Sequence, residues 1–191
     1  MTKAPVGILI SGRGSNMATL VEASRAADSP YEVVLVASNN PEAPGLEYAR
    51  AAGIATFAHP HQGMKRAEFD ALIDARLREA GVRYVALAGY MRILSAGFIE
   101  SWAGRILNIH PSLLPLYKGL DTHQRAIEAG DAEGGCSVHV VTPELDDGPV
   151  VAQARVEILP GDTAGSLSAR VLIEEHRLYP AALAAYIREH G

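Results

Sequence analysis

The stretch that decides the fold is Val6-Gly7-Ile8-Leu9-Ile10-Ser11-Gly12-Arg13-Gly14-Ser15-Asn16. Five apolar residues in a row leave no solvated face, which suits a strand covered on both sides rather than the edge of an open hairpin. Two glycines then allow a tight turn with close backbone approach, and a helical pattern begins directly afterwards. A strand, a glycine turn and a helix make one βα unit, with backbone N–H groups aimed out of the turn where an anion can sit. The turn lacks the third glycine of the dinucleotide fingerprint and the Gly-Lys-Ser/Thr of a P-loop. A plain βα turn capped by Ser15 or Asn16 is the competing reading.

The unit recurs. Apolar runs at 6–10, 31–37, 54–58, 84–88 and 106–109 predict strands, separated by helical patterns at 17–27, 43–52 and 66–80. Such alternation specifies an α/β fold: an open, mostly parallel twisted sheet flanked by helices. After His110 the pattern changes. Residues 137–141 and 150–158 predict two strands in a hairpin-like pair joined by the wide loop 143–149, and a final helical pattern starts near 164 and is interrupted at Pro180. With no repeat or linker, residues 1–191 predict a single domain with two functional halves, about 1–104 and about 105–191.

Composition narrows the function classes. The 191 residues are 48% apolar and 20% charged, ordinary for a folded domain. A net charge of −5 with scattered Lys and Arg argues against a nucleic-acid face. Cys136 is the single cysteine, so an internal disulfide and a two-cysteine metal clip are excluded and a reducing cytoplasm fits. The N-terminal apolar run is too short for a secretion signal, and none approaches the roughly 20 residues of a spanning helix. The expectation is a cytoplasmic protein, monomer or homodimer, with no membrane or nucleic-acid partner.

In open α/β sheets ligands bind beyond the carboxyl ends of the strands. Three polar segments are predicted there: 11–16 after the first strand, 89–94 after the fourth, and Asn108-Ile109-His110 at the end of the fifth. Asn108 and His110 are two apart, so their side chains leave the same face of a strand. With a carboxylate from Leu145-Asp146-Asp147-Gly148-Pro149 they supply the amide, imidazole and carboxylate needed to move an acyl unit onto an amine without a covalent intermediate. Taken singly, each has a plainer reading: His110 as a structural histidine, Asn108 and Asp146 as turn residues. His59 and His61 have no nearby acidic or thiol partners, so no metal is expected, and His139, alternating with valines, reads as structural.

Taken together, Ile10-Ser11-Gly12-x-Gly14-Ser15-Asn16, Gly89-Tyr90-Met91-Arg92-Ile93-Leu94, 108–115, Gly119-Leu120-x-Thr122-His123, Ser137-Val138-His139 and Glu144-Leu145-Asp146-x-Gly148-Pro149 resemble, in order and spacing, the phosphoribosylglycinamide formyltransferases. These are the folate-dependent glycinamide ribonucleotide transformylases of purine synthesis. The resemblance covers essentially the whole chain. It implies the formyltransferase fold with a Rossmann-like N-terminal half, the first half holding the nucleotide phosphate and the second the chemistry and the folate. It implies glycinamide ribonucleotide and 10-formyltetrahydrofolate as small-molecule substrates and no metal. Asn108, His110 and Asp146 are the implied catalytic residues. Gly14, Ser15 and Asn16 would bind the nucleotide phosphate and Glu175 its glycinamide or ribose end. Arg66, Met91, Arg92, Ile93, Leu94, Val141 and Asp146 would meet the folate. The related methionyl-tRNA formyltransferases and formyltetrahydrofolate deformylases carry extra domains not expected here, and a binding protein without catalysis would not need the Asn/His/Asp set. Asp121, Arg13, Asp147 and Leu172 depart from residues frequent in the family.

Overall fold

The computed structural model describes residues 2–191. Seven strands form one sheet in the order β3-β2-β1-β4-β5-β6-β7. The strands β1 (Ala4–Ile10), β2 (Tyr31–Ser38), β3 (Ala55–Ala58), β4 (Tyr84–Leu87) and β5 (Ile106–His110) run parallel, and β6 (Glu133–Val140) and β7 (Val150–Glu157) are added antiparallel. The expected open, mostly parallel sheet is therefore present. Its helices are α1 (Ser15–Ser24), α2 (Gly45–Ala51), α3 (Arg66–Glu79), α4 (Ala96–Ser101), α5 (Thr122–Glu128) and α6 (Ala164–His190).

Alternation along β1 splits the core in two. Val6, Ile8 and Ile10 join Met17, Leu20 and Leu46 and the buried face of α6, whereas Leu9 joins Phe69, Ile73 and Leu77 of α3 and Phe98 and Ile99 of α4. Gly7 lets α3 approach, because a Cβ there would meet Leu77 Cδ2 at 2.5 Å. On β5, Leu107 and Ile109 face the first cluster and Ile106 the second, so Asn108 and His110 share the second face. Beyond Ile106 that face is met by loop, with Tyr117 against His110 and Asp146 beside it.

Two expectations need correction. The terminal helix is not interrupted at Pro180: α6 runs through it for 27 residues. Proline removes one helical hydrogen bond, but Leu167, Val171, Tyr179, Leu183 and Ile187 bury one face of α6 completely or nearly so. Tyr179 also donates its hydroxyl proton between the carbonyls of Leu87 and Leu107, at 2.9 and 3.0 Å. Tertiary packing outweighs local propensity here. The short helices α4 and α5 were not anticipated, although Ser95 accepts a hydrogen bond from Phe98 N as a side-chain cap. Among the described residues no helix is long and apolar enough to cross a membrane.

Candidate active site

Strands β1 and β4 are neighbours in the sheet but distant in sequence, and chain order runs outward from them in opposite directions. That is the switch point at which open α/β sheets bind ligands. A cleft of about 180 Å³ lies there, lined by Gly12, Arg13, Gly14, Ser15, Asn16, Ala88 and Gly89. Gly14 is the N-cap of α1, at φ 71°, and no side chain caps the helix. The capping role open to Ser15 or Asn16 is thus not taken, and the first-turn N–H groups have no intrahelical acceptor, which favours an anion. Gly45 of α2 backs the turn and donates its N–H to Gly12 O at 3.1 Å. A Cβ on Gly45 would meet Ile10 Cδ1 at 2.6 Å and Arg13 O at 3.0 Å.

The side chain of Asn16 turns to α6 and donates from Nδ2 to Glu175 Oε2 at 2.8 Å, a buried bond. Burial raises the Glu175 carboxyl above its ordinary pKa, and the Asn16 bond opposes that rise. Glu175, 165 residues past Ile10 by number, is brought to the first βα turn by the packing of α6 on α1.

Asn108, His110 and Asp146 converge. His110 Nδ1 lies 3.5 Å from Asp146 Oδ2, and its Nε2 donates to Tyr117 O at 2.9 Å. Both ring nitrogens therefore face oxygen atoms. Asp146 also accepts from Gly119 N at 2.9 Å. Its neighbour Asp147 forms an ion pair with Lys118, so the loop carrying Asp146 is clasped to the one carrying Tyr117. Tyr117, Asp121 and Asp146 all have positive φ, between 50° and 55°. Left-handed non-glycine residues cost energy and gather where the surroundings fix a functional geometry.

His139, which the valine alternation made look structural, completes the cluster. It is opposite Asn108 in the β5–β6 ladder, its Nε2 is 3.2 Å from Asn108 Nδ2 and 3.7 Å from Asp146 Oδ1. Its placement was legible in principle: period-2 spacing puts Ser137 and His139 on the face opposite Cys136 and Val138. The pairing with Asn108 depended on strand register, which sequence did not give.

The folate-directed residues split. Leu94 is buried and Val141 packs on the same cluster, while Met91 and Ile93 are exposed, so 90–94 and 141 form a floor with an open apolar rim. The Arg92 guanidinium stacks over Phe69, 4.9 Å from its centroid, instead of projecting into the slot. Arg66 is the exposed first residue of α3. Among the described residues no group of three or more His, Cys, Asp and Glu side chains is placed to hold a metal ion.

Residues 5–183 match the formyl transferase family. The chain is 46% identical over 177 residues to the phosphoribosylglycinamide formyltransferase of Escherichia coli K12, covering 92% of this chain and 84% of that one. It is 45% identical to the human trifunctional purine biosynthetic protein adenosine-3 over 95% of its own length, but spans only 18% of that larger protein. The crystal structure of phosphoribosylglycinamide formyltransferase from Brucella melitensis superposes with a TM-score of 0.93 at 50% identity, covering 97% of this chain and 96% of that one. The one from Anaplasma phagocytophilum gives 0.92 at 42% identity, over 98% and 88% of the two chains.

Proposed function

Because this chain belongs to the formyl transferase family, we propose that it transfers the formyl group of 10-formyltetrahydrofolate to the primary amine of glycinamide ribonucleotide, a step of purine synthesis, in the cytoplasm. The observation that carries this reading is the convergence of Asn108, His110 and Asp146 on the sheet edge that also holds the anion-ready turn 11–16.

The nucleotide phosphate sits on the first turn of α1 at Gly14, Ser15 and Asn16, and Glu175 receives the glycinamide or ribose end. The pterin lies against Arg92, Leu94 and Val141 beneath Met91 and Ile93, with Arg66 toward the folate's acidic tail. One half of the domain, about 1–104, holds the phosphate and the other, about 105–191, supplies the chemistry.

The amine lone pair forms a C–N bond to the formyl carbon, and the carbonyl electron pair moves to oxygen. One N–H of the Asn108 amide is directed at His139, which leaves the second for that oxyanion. The His110 Nε2 proton, held by Tyr117 O before substrate arrives, is the second donor, and Asp146 offsets the positive ring. Collapse reforms the carbonyl and breaks the bond to the folate nitrogen. The His110 ring gives its Nε2 proton to that nitrogen and, once neutral, takes up the proton lost by the amine, directly or through a water held by Asp146, so tetrahydrofolate leaves neutral at that atom and His110 is restored. No covalent enzyme intermediate is required.

The test is formyl transfer by the purified chain with glycinamide ribonucleotide, water or initiator methionyl-tRNA as acceptor. Transfer to the nucleotide should exceed both others by orders of magnitude. Faster formate release with water alone would make the chain a deformylase and sink this reading.

A further inference from the structure

A polar chain runs across the carboxyl edge of the sheet, beside and into the proposed substrate contacts. Met91 N donates to Ser11 Oγ at 2.8 Å. Ser11 Oγ donates its one proton to Asn39 Oδ1 at 2.6 Å. Asn39 Nδ2 reaches His61 Nδ1 at 3.1 Å. The backbone adds a parallel tie, Ser11 N to Gly89 O at 3.2 Å. Asn39 is 4% exposed, and His61 is held edge-on against Phe69, which also meets the His59 ring and the Arg92 guanidinium.

The direction of the chain is fixed by its chemistry. A serine hydroxyl has one proton; given to Asn39, it leaves a lone pair for Met91 N. Asn39 accepts from Ser11 through Oδ1, which turns its Nδ2 toward His61 Nδ1, and the same ring nitrogen lies 3.2 Å from the Asn39 carbonyl. Ser11 follows β1 and opens the turn 11–16, Asn39 follows β2, His61 follows β3 and Met91 follows β4. The chain therefore ties the nucleotide turn to the segment proposed to hold the pterin, and both to the loop ahead of Arg66.

We propose that Ser11 and Asn39 are positioning residues that couple the two substrate sites, so that nucleotide bound at the first turn tightens the folate slot, and the reverse. Hydrogen bonds linked in a chain polarise one another, and coupling between two sites is reciprocal in binding free energy. The proposal rests on the formyltransferase reading, because it needs both ligands.

The experiment is calorimetric titration of tetrahydrofolate, which carries no formyl group to transfer, alone and with saturating glycinamide ribonucleotide. The readout is the ratio of the two dissociation constants. A general loosening of the fold weakens each affinity but does not selectively cancel their ratio. In the wild type the nucleotide should tighten folate binding at least about fivefold, the low end of ordinary coupling. Ser11→Ala and Asn39→Ala should each bring the ratio to within about twofold of unity, the double variant should go no further, and Ser11→Thr, which keeps the hydroxyl, should restore it. Wild-type ratios in both alanine variants, or a ratio of unity in the wild type with both ligands bound, would overturn the coupling and leave the formyltransferase reading intact. Failure of the wild type to bind either ligand would overturn both.

Discussion

Asn108 and His139 face each other across the β5–β6 ladder with Nδ2 and Nε2 3.2 Å apart. His139 Nδ1 lies 3.2 Å from the carbonyl of its neighbour Val140, which can only accept, so Nδ1 carries the proton. Nε2 is then a lone pair and accepts from the Asn108 amide. That bond fixes which end of the amide points at His139 and which N–H is left for substrate.

The same pairing predicts an acid limit. Burial is the largest influence on His139 and lowers its pKa, ahead of the opposing effects of Val140 and Asp146. The unfolded chain therefore binds this proton more readily than the folded one. Stability from neutral His139 is present above the ordinary histidine pKa of about 6.5 and is lost as pH falls through the lowered folded value. His139→Asn should flatten the acid side of the Tm-versus-pH curve. His139→Ala should leave Asn108 unoriented and cut kcat by about 10²-fold, the cost of a small misplacement. A Tm curve of unchanged shape in His139→Asn would remove the histidine from the acid limit.

For the proposed catalytic set, His110→Ala should lose the proton-transfer role, for which about 10²- to 10⁴-fold is typical. Asn108→Ala should lose an oxyanion donor, for which about 10²- to 10³-fold is typical. The double variant should lose less than the product of the two, because both act on one intermediate. Asp146→Asn should lower activity while keeping substrate affinity, and an unchanged pH profile there would show that its charge does no work on His110. Turnover near that of the wild type in any single variant, with folding verified by circular dichroism, would remove that residue from the mechanism.

Much of this arrangement is legible in sequence because it depends on local period. The five parallel strands and three helices expected from 6–10 to 106–109 are all found, as is the antiparallel pair after them, with ends shifted by a few residues: α1 stops at Ser24, not 27, and β6 starts at Glu133, not 137. Asn108 and His110 share a face because two residues along a strand always do. What was not legible is tertiary. Pro180 breaks a helix only if nothing else holds it, and Tyr179 and Leu183 hold α6 on the sheet. Arg92 looked free to reach a ligand, and its contact with Phe69 depends on how α3 crosses the sheet. His139 became part of the site through register, and Gly45 through the approach of α2 to the turn.

Gly148 gives a test of the loop that carries Asp146. It is buried, and a Cβ there would overlap the carbonyl oxygen of Val140 and press on Thr142 Cγ2 at 3.2 Å. Val140 N donates to Pro149 O at 2.9 Å beside it, so the loop cannot shift without losing a strand-edge bond. Gly148→Ala should lift Asp146 from His110, lowering kcat by about 10²-fold while nucleotide affinity stays near that of the wild type. The turn 11–16 follows β1, which β4 separates from β5 in the sheet. Stopped-flow kinetics and nucleotide titration separate these, and a loss confined to nucleotide affinity would show that the loop does not position the carboxylate.

Glu175, proposed to meet the nucleotide, should affect binding and stability with opposite signs. Burial raises its carboxyl above the ordinary value, against the lowering effect of the Asn16 bond. The folded chain therefore holds this proton more tightly than the unfolded one. The stability that goes with it is present below the ordinary carboxylate pKa of about 4.3 and is lost as pH rises through the folded value, so at neutral pH the ionised group destabilises the apoprotein. Glu175→Gln removes the charge and keeps an oxygen for the Asn16 Nδ2 donor. Its Tm should exceed that of the wild type at pH 7.5, with the gap closing by pH 4. Glycinamide ribonucleotide should nonetheless bind about 10- to 100-fold more weakly, since hydrogen bonds to charged groups contribute about 1.5–3 kcal/mol. Scanning calorimetry across pH and a nucleotide titration at pH 7.5 check the two halves separately. Unchanged nucleotide affinity would take Glu175 out of the substrate site, and a lower Tm at pH 7.5 would show that its ionised form is held by more than Asn16.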